Sequence, residues 1–207
     1  ILECRELAPN TKEVLIAAPP VARRPRPGQF LVVRVDEQGE RIPLTIADFD
    51  AGSGTVTIIV QAVGVSTLKL CALRAGDEIA NVAGPLGVPS ELEGCTTAVC
   101  LGGGFGVGAI YPVIRGLRER GTRVISVVGA RTAELLLWVD KVGANSDEIH
   151  VTTHDGSQGR KGLVTDVLKE LLEADGSIGL VHAVGPLPMM RAVGNTTKSS
   201  GVKTMVS

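Results

Sequence analysis

The stretch Thr97-Ala98-Val99-Cys100-Leu101-Gly102-Gly103-Gly104-Phe105-Gly106-Val107-Gly108-Ala109 decides how this chain is read. Thr97–Leu101 has the apolar run of a buried strand, and residues from about Val107 to Glu119, ending at Gly121, have the pattern of a helix. Between them lies a loop made almost wholly of glycine. Missing side chains let backbone N–H groups approach a phosphate, and a helix N-terminus adds partial positive charge there. The same loop also serves as a tight turn that lets a helix pack closely on a strand. Downstream, strands and helices alternate: strand Val124–Val128, helix Ala133–Val142, strand Ile149–Thr153, helix Leu163–Leu172, strand Leu180–Val184, helix Pro188–Thr197 and strand Lys203–Val206. Such alternation predicts βαβ units on a parallel sheet, with ligands at the carboxyl ends of its strands.

Upstream the pattern differs. Candidate strands Ile1–Leu7, Thr11–Ala17, Gln29–Val35, Ile42–Ile46, Thr55–Gln61 and Glu78–Val82 are short and separated by turn signals, among them the Pro-rich run Pro19 to Gly28 and Ala51-Gly52-Ser53-Gly54. A short helix, Ser66 to Leu73, interrupts them. The prediction is a β + α/β chain: an N-terminal antiparallel β-barrel over 1–93, then a parallel-sheet α/β domain over 94–207.

Composition narrows the function. The 207 residues carry Lys+Arg 21 against Asp+Glu 22 and only five aromatics, so neither a basic footprint nor a stacking platform for nucleic acid is expected. Glycine, at 26 residues, is nearly twice its ordinary usage of ~7% and falls at the ends of apolar runs. Cys4, Cys71, Cys95 and Cys100 form no C-x-x-C pair, so no metal site is read from them, and a reducing cytoplasmic location is expected. No apolar run approaches a membrane span. The chain starts at Ile1 and its last apolar run ends at Ser207, which suggests an excerpt of a longer polypeptide.

Several loops carry chemistry or an ordinary structural role. The second α/β strand ends Gly129-Ala130-Arg131-Thr132 without the acid that holds a ribose in the usual dinucleotide fold, so Arg131 faces a phosphate or ribose, or is a solvated cation. The Gly104 to Gly108 loop lacks the Gly-Lys-Ser/Thr of an ATP-binding loop. Asp155-Gly156-Ser157 and Gly185-Pro186 follow the third and fourth strands; each alone is a common turn, together they suggest one cleft, with Met189 lining it or filling the core. In Arg41-Ile42-Pro43-Leu44-Thr45, alternation puts Arg41, Pro43 and Thr45 on one side, where a forked cation could meet a diphosphate. Gly64, Ser66 and Thr67 offer N–H groups and hydroxyls to an anion, or simply cap the short helix. His150 and His154, roughly 13 Å apart on an extended strand, cannot share a metal; His182 reads as a satisfied core residue. No acid, base or nucleophile constellation is evident, so a cofactor is expected to perform the chemistry, and redox is the natural class.

Taken in order, Pro27-Gly28-Gln29-Phe30, Arg41 to Asp48, Gly84-Pro85-Leu86-Gly87, the Gly102 loop, Asp155 to Gly162 with Val164-Thr165-Asp166, and Gly185 to Met190 resemble the ferredoxin–NADP reductase superfamily over essentially the whole chain. The resemblance is to its iron–sulfur flavoprotein branch, and there most to the small subunit of NADH-dependent reduced ferredoxin:NADP oxidoreductase, which Arg41 to Asp48 look most like, with the electron-transfer subunit of dihydroorotate dehydrogenase B as the alternative. It implies FAD on the barrel, with Arg41 at the diphosphate, Pro43 and Leu44 against the flavin, Thr45 at the flavin's reactive edge as the catalytic contact, and Gly64, Ser66 and Thr67 as a second phosphate contact. It implies NAD(H), with NADP not excluded, on Gly103, Gly104 and Gly106, with Ala130 and Arg131 at the ribose and Asp155, Gly156, Gly185 and Met189 at the nicotinamide. It further implies a hydride passed between NAD(H) and FAD, and single electrons passed to a [2Fe–2S] cluster whose ligands lie outside this chain. The implied partners are a larger catalytic or flavoprotein subunit in a heteromeric complex and a ferredoxin-type carrier. Gly108-Ala109 departs from the Ala-Pro usual after the family's glycine loop. The rival reading of another class is a nucleotide-binding scaffold without turnover.

Overall fold

A computed structural model describes residues 1–207 and divides them into two compact units, Ile1–Ser90 and Glu91–Ser207.

The first unit holds β1 (Glu3–Ala8), β2 (Thr11–Ala17), α1 (Pro19–Ala22), β3 (Phe30–Arg34), β4 (Arg41–Thr45), β5 (Asp48–Asp50), β6 (Thr55–Gln61), α2 (Val65–Ala72) and β7 (Asn81–Leu86). These strands form two antiparallel sheets, ordered β1-β2-β6-β5 and β4-β3-β7. Their inner faces share one core: Val14 and Ile16 from β2, Leu31 and Val33 from β3, Val56, Ile58 and Val60 from β6. Alternation along β3 supplies the reason, since Leu31 and Val33 are buried while Phe30, Val32 and Arg34 are only partly so.

Two features differ from expectation here. The Pro-rich run contains α1, which places proline in its first turn, where a missing N–H costs nothing. The last strand runs Asn81–Leu86, straight through Gly84-Pro85, instead of ending at Val82. Both β4 and β7 are edge strands of their sheet. An edge tolerates proline because its outward side needs no donor, so Pro43 and Pro85 sit in strands that a central position would forbid.

The second unit holds β8 (Thr97–Gly103), α3 (Val107–Glu119), β9 (Arg123–Ala130), α4 (Val139–Ala144), β10 (Glu148–Thr153), β11 (Arg160–Lys161), α5 (Val164–Ala174), β12 (Ile178–Val184), α6 (Leu187–Thr197) and β13 (Lys203–Val206). All six strands are parallel, in the order β11-β10-β9-β8-β12-β13. On one face Val99, Leu101, Ile125, Val127, Val181 and Ala183 pack against α5 and α6. The alternate residues turn to the other face, where α3 buries Ile110, Ile114 and Leu117.

The helix expected over Ala133–Val142 is broken. A 3-10 turn covers Ala133–Leu135, Leu136 is extended, and Trp138 adopts a left-handed conformation (φ 49°) before α4 begins. The break lets Leu137 and Trp138 both reach the interior, where Trp138 meets Tyr111 edge-on at 5.2 Å between ring centroids. Burying the one tryptophan outweighs helical continuity.

Candidate functional site

Chain order runs from β8 outward through β9 to β10, then returns to place β12 on the other side of β8. The strand order therefore reverses between β8 and β12, and in open α/β sheets the crevice at such a reversal is where ligands bind. The glycine loop leaves β8 at this point, and Gly185-Pro186 leaves β12 beside it.

The glycines of the loop serve different ends. Gly104 has φ +52° and nothing near the space a side chain would fill, so it gives an open, left-handed bend in front of the helix. Gly106 is the opposite case: a Cβ there would collide with the Val184 carbonyl, so its lack of a side chain lets the loop lie on β12. Gly103 and Gly185 both face Met189, whose thioether lies over them; a Cβ on Gly185 would come within 2.8 Å of Met189 Cε. Met189, half-buried at the start of α6, thus does both things asked of it, packing against the α5–α6 core and standing over the loop.

At the ends of β9 and β10 two further loops are fastened together. Ala130 is buried and its carbonyl accepts the His154 N–H at 3.2 Å; the Arg131 carbonyl accepts the Asp155 N–H at 3.3 Å. Ser157 Oγ donates to Asp155 Oδ1 at 2.6 Å and accepts the Ala133 N–H at 2.8 Å, and Ser157 N–H donates to the same carboxylate oxygen at 3.0 Å. These bonds to Ser157 hold the Asp155 carboxyl below the usual carboxylate range. Gly156, at φ +80°, forms the bend between them. Arg131 is exposed, with no ion pair on its guanidinium. Thr132 Oγ1 is shut off from solvent without a hydrogen-bond partner. Thr132 and Ser157 were not among the candidates read from the sequence. Their signals were present, a hydroxyl at a strand's carboxyl end and an Asp-x-Ser turn, but what each bonds to depends on the other loop.

In the first unit β4 sorts its residues by parity. Arg41 and Pro43 are exposed and Thr45 half-buried, while Ile42 and Leu44 pack against the core. The strand brings Arg41, Pro43 and Thr45 to one face and puts the Leu44 side chain on the other. At the start of α2, Thr67 takes the structural role: its Oγ1 accepts the Gly64 and Val63 N–H groups at 3.0 and 3.1 Å and donates to the Gly64 carbonyl at 3.0 Å. Ser66 keeps its hydroxyl uncommitted, and the space beside Gly64 is open. Lys69 of α2 pairs with Asp36 at 2.7 Å, which ties the helix to the turn leading into Arg41.

Other groups fall away from these loops. His182 is buried in β12 with Nδ1 unpartnered, not satisfied as expected, and burial pushes its pKa down to about 4. Cys100, buried in β8, has its thiol pushed up by burial. All four cysteines are free, and no group of three or more His, Cys, Asp or Glu side chains is arranged to hold a metal ion. A cavity of about 400 Å³ lies at the sheet's outer edge, lined by Ile149, Val151, Arg160, Val167 and Leu171, and none of the candidate residues lines it. No helix is long and apolar enough to cross a membrane.

No family model matches the chain. It is 40% identical to a dihydroorotate dehydrogenase B (NAD(+)) electron transfer subunit homolog of Thermotoga maritima, covering 98% of this chain and 71% of that one. Among solved structures, a chain of the NADH-dependent reduced ferredoxin–NADP oxidoreductase, described for flavin-based electron bifurcation, is 39% identical with a TM-score of 0.93, over 100% of this chain and 74% of that one. A ferredoxin NADP+ reductase from Neisseria gonorrhoeae with bound FAD and NADP shares the fold at 17% identity and a TM-score of 0.79, over 100% and 96% of the two chains.

Proposed function

This chain belongs to the family of dihydroorotate dehydrogenase B-type electron-transfer subunits, within the ferredoxin–NADP reductase fold, and on that premise we propose how its residues serve flavin-dependent electron transfer from NAD(H). The observation that carries the reading is that one chain holds both an open glycine bend at the strand-order reversal of its second unit and, in its first unit, an exposed, unpaired Arg41 on a proline-fixed edge strand. A bound FAD would supply the redox chemistry, with capacity for the two electrons and one proton of a hydride and for onward delivery of the electrons singly, the proton going to solvent.

The residues of the first unit fit the flavin cofactor. Arg41 offers a planar, unpaired guanidinium to its diphosphate. Pro43 and Thr45, on the same face, border the ring system, and Thr45 is the residue we place at its reactive edge. Leu44 contributes through its backbone, since its side chain is spent on the core. Ser66 and the free N–H groups of α2 give the second phosphate contact, while Gly64 and Thr67 shape it. In the second unit, Gly103, Gly104 and Gly106 set the nicotinamide nucleotide's diphosphate against the start of α3, Ala130 and Arg131 hold the ribose end, and the Asp155–Gly156 and Gly185–Met189 loops bound the remainder. The unpartnered Thr132 hydroxyl is the sort of buried group a ribose or phosphate oxygen would satisfy. None of these residues has to move a proton; their work is orientation and exclusion of water.

The cysteines present do not fit an iron–sulfur cluster, so no step within this chain runs through one. Electrons leave for a larger partner subunit or a ferredoxin-type carrier, and four free thiols accord with a cytoplasmic location.

The test is an anaerobic absorption spectrum of the native complex before and after NADH. Flavin bands that bleach are the expected result. Flavin that neither NADH nor NADPH reduces would favour the scaffold reading, and a protein that cannot be loaded with FAD would sink the proposal.

A further inference from the structure

The bonds joining the loops after β9 and β10 form a relay with a direction. A serine hydroxyl has one proton, and Ser157 gives it to Asp155 Oδ1 at 2.6 Å, which leaves its lone pairs for the Ala133 N–H at 2.8 Å. Donation to a carboxylate makes the oxygen a better acceptor in turn. Alongside, the Ala130 and Arg131 carbonyls receive the His154 and Asp155 N–H groups. Segment 130–133 is therefore pinned at three successive points by 154–157, while the Arg131 side chain itself stays exposed and unpaired. Where that guanidinium can reach is set by the backbone that the relay holds.

We infer that Asp155 and Ser157 are positioning residues that fix Arg131 and Thr132 for the ribose–phosphate end of the nicotinamide nucleotide, and that the Asp155 carboxylate is not a contact of the nicotinamide ring. The geometry of one oxygen supports this: Oδ1 is already committed to two donors from Ser157, and the carboxyl is held ionised by them. The inference rests on the reading that the second unit binds NAD(H), and it reassigns one of that reading's own residues.

The experiment is stopped-flow reduction of the FAD-loaded native complex by NADH, comparing wild type with Ser157→Ala, Ser157→Thr, Arg131→Ala and the double variant Ser157→Ala/Arg131→Ala. Loss of one such hydrogen bond corresponds to about a three- to tenfold rise in KM or Kd. That rise is expected for Ser157→Ala, with the limiting rate of flavin reduction within about twofold of wild type, and with recovery in Ser157→Thr, which keeps the hydroxyl. If Ser157 acts through Arg131, the double variant binds no worse than Arg131→Ala alone. A limiting rate that collapses while KM holds would place the loop at the nicotinamide and overturn the inference. So would effects that multiply in the double variant, or a Ser157→Ala protein that behaves as wild type. Wild-type flavin that no nicotinamide reduces would instead overturn the functional reading, and the inference with it.

Discussion

Acidification should destabilise the second unit through His182. The imidazole is 3% exposed in β12, alternates onto the face covered by α3, and has no partner for Nδ1. Burial lowers its pKa from 6.5 to about 4. The unfolded chain then binds a proton that the folded chain refuses, so stability is full above pH 6.5 and falls as the pH drops from there towards 4. Between pH 7.5 and 4.5 the loss is about 2.5 kcal/mol, on the order of a quarter of an ordinary domain's stability. Carboxylates held low by their partners, such as Asp147 beside the Val124 N–H and Arg118, or Asp175 beside Ser177, stabilise above their unfolded range near 4 and lose that effect only at lower pH. The window from 6.5 to 4.5 thus isolates the histidine. Trp138, the single tryptophan and buried in this unit, reports its unfolding by fluorescence in urea. His182→Leu, of similar volume, should lose less than about 1 kcal/mol over the same range and be no less stable at pH 7.5, since it removes a buried nitrogen without a bond. A wild-type midpoint that is flat from pH 7.5 to 4.5, or a variant that declines in parallel with it, would refute the reasoning.

Two glycines separated by one residue should fail differently. Gly104→Ala puts a side chain at φ +52° into open space, costing about 1–2 kcal/mol of strain with the fold intact, so the loss should appear in nicotinamide affinity by titration. Gly106→Ala drives a Cβ into the Val184 carbonyl and should cost more than about 2 kcal/mol in the Trp138-monitored urea midpoint; a reversed order of stability would contradict the packing described. Arg131→Ala should weaken NADPH more than NADH if the guanidinium reads a 2′-phosphate; equal loss for both in paired titrations would assign it to the shared part of the nucleotide.

The alternation of strand and helix after Gly94 was legible because each βαβ unit is specified locally, by an apolar run, a glycine or proline stop and a 3.6-residue period. So was the parity of β4, which correctly put Arg41 and Pro43 on one face. What could not be read was decided by partners distant in sequence. The broken helix at Leu136–Trp138 depends on Tyr111 being in place to receive the indole. Strand β7 runs through Gly84-Pro85 only because nothing pairs beyond it. Thr67 showed two roles in the sequence, and only the backbone around Gly64 assigns its hydroxyl to the cap. Ser157 looked like part of a turn, and its bond to Ala133 joins segments 24 residues apart.

Met189 leaves the glycine bend neither empty nor blocked. Its unbranched thioether is the most compliant filler a protein has, and it rests on Gly103 and Gly185 with nothing but van der Waals contact to hold it. On the proposed reading, a nucleotide settling on Gly103 would have to push it aside, and the contacts given up would be subtracted from the affinity gained. Such a rotamer change takes about nanoseconds or less, far faster than diffusional encounter, so capture is not slowed. The subtraction would appear in release instead: the displaced thioether returning to Gly103 and Gly185 would shorten the nucleotide's residence, which suits a subunit that has to discharge its oxidised nicotinamide at every turnover.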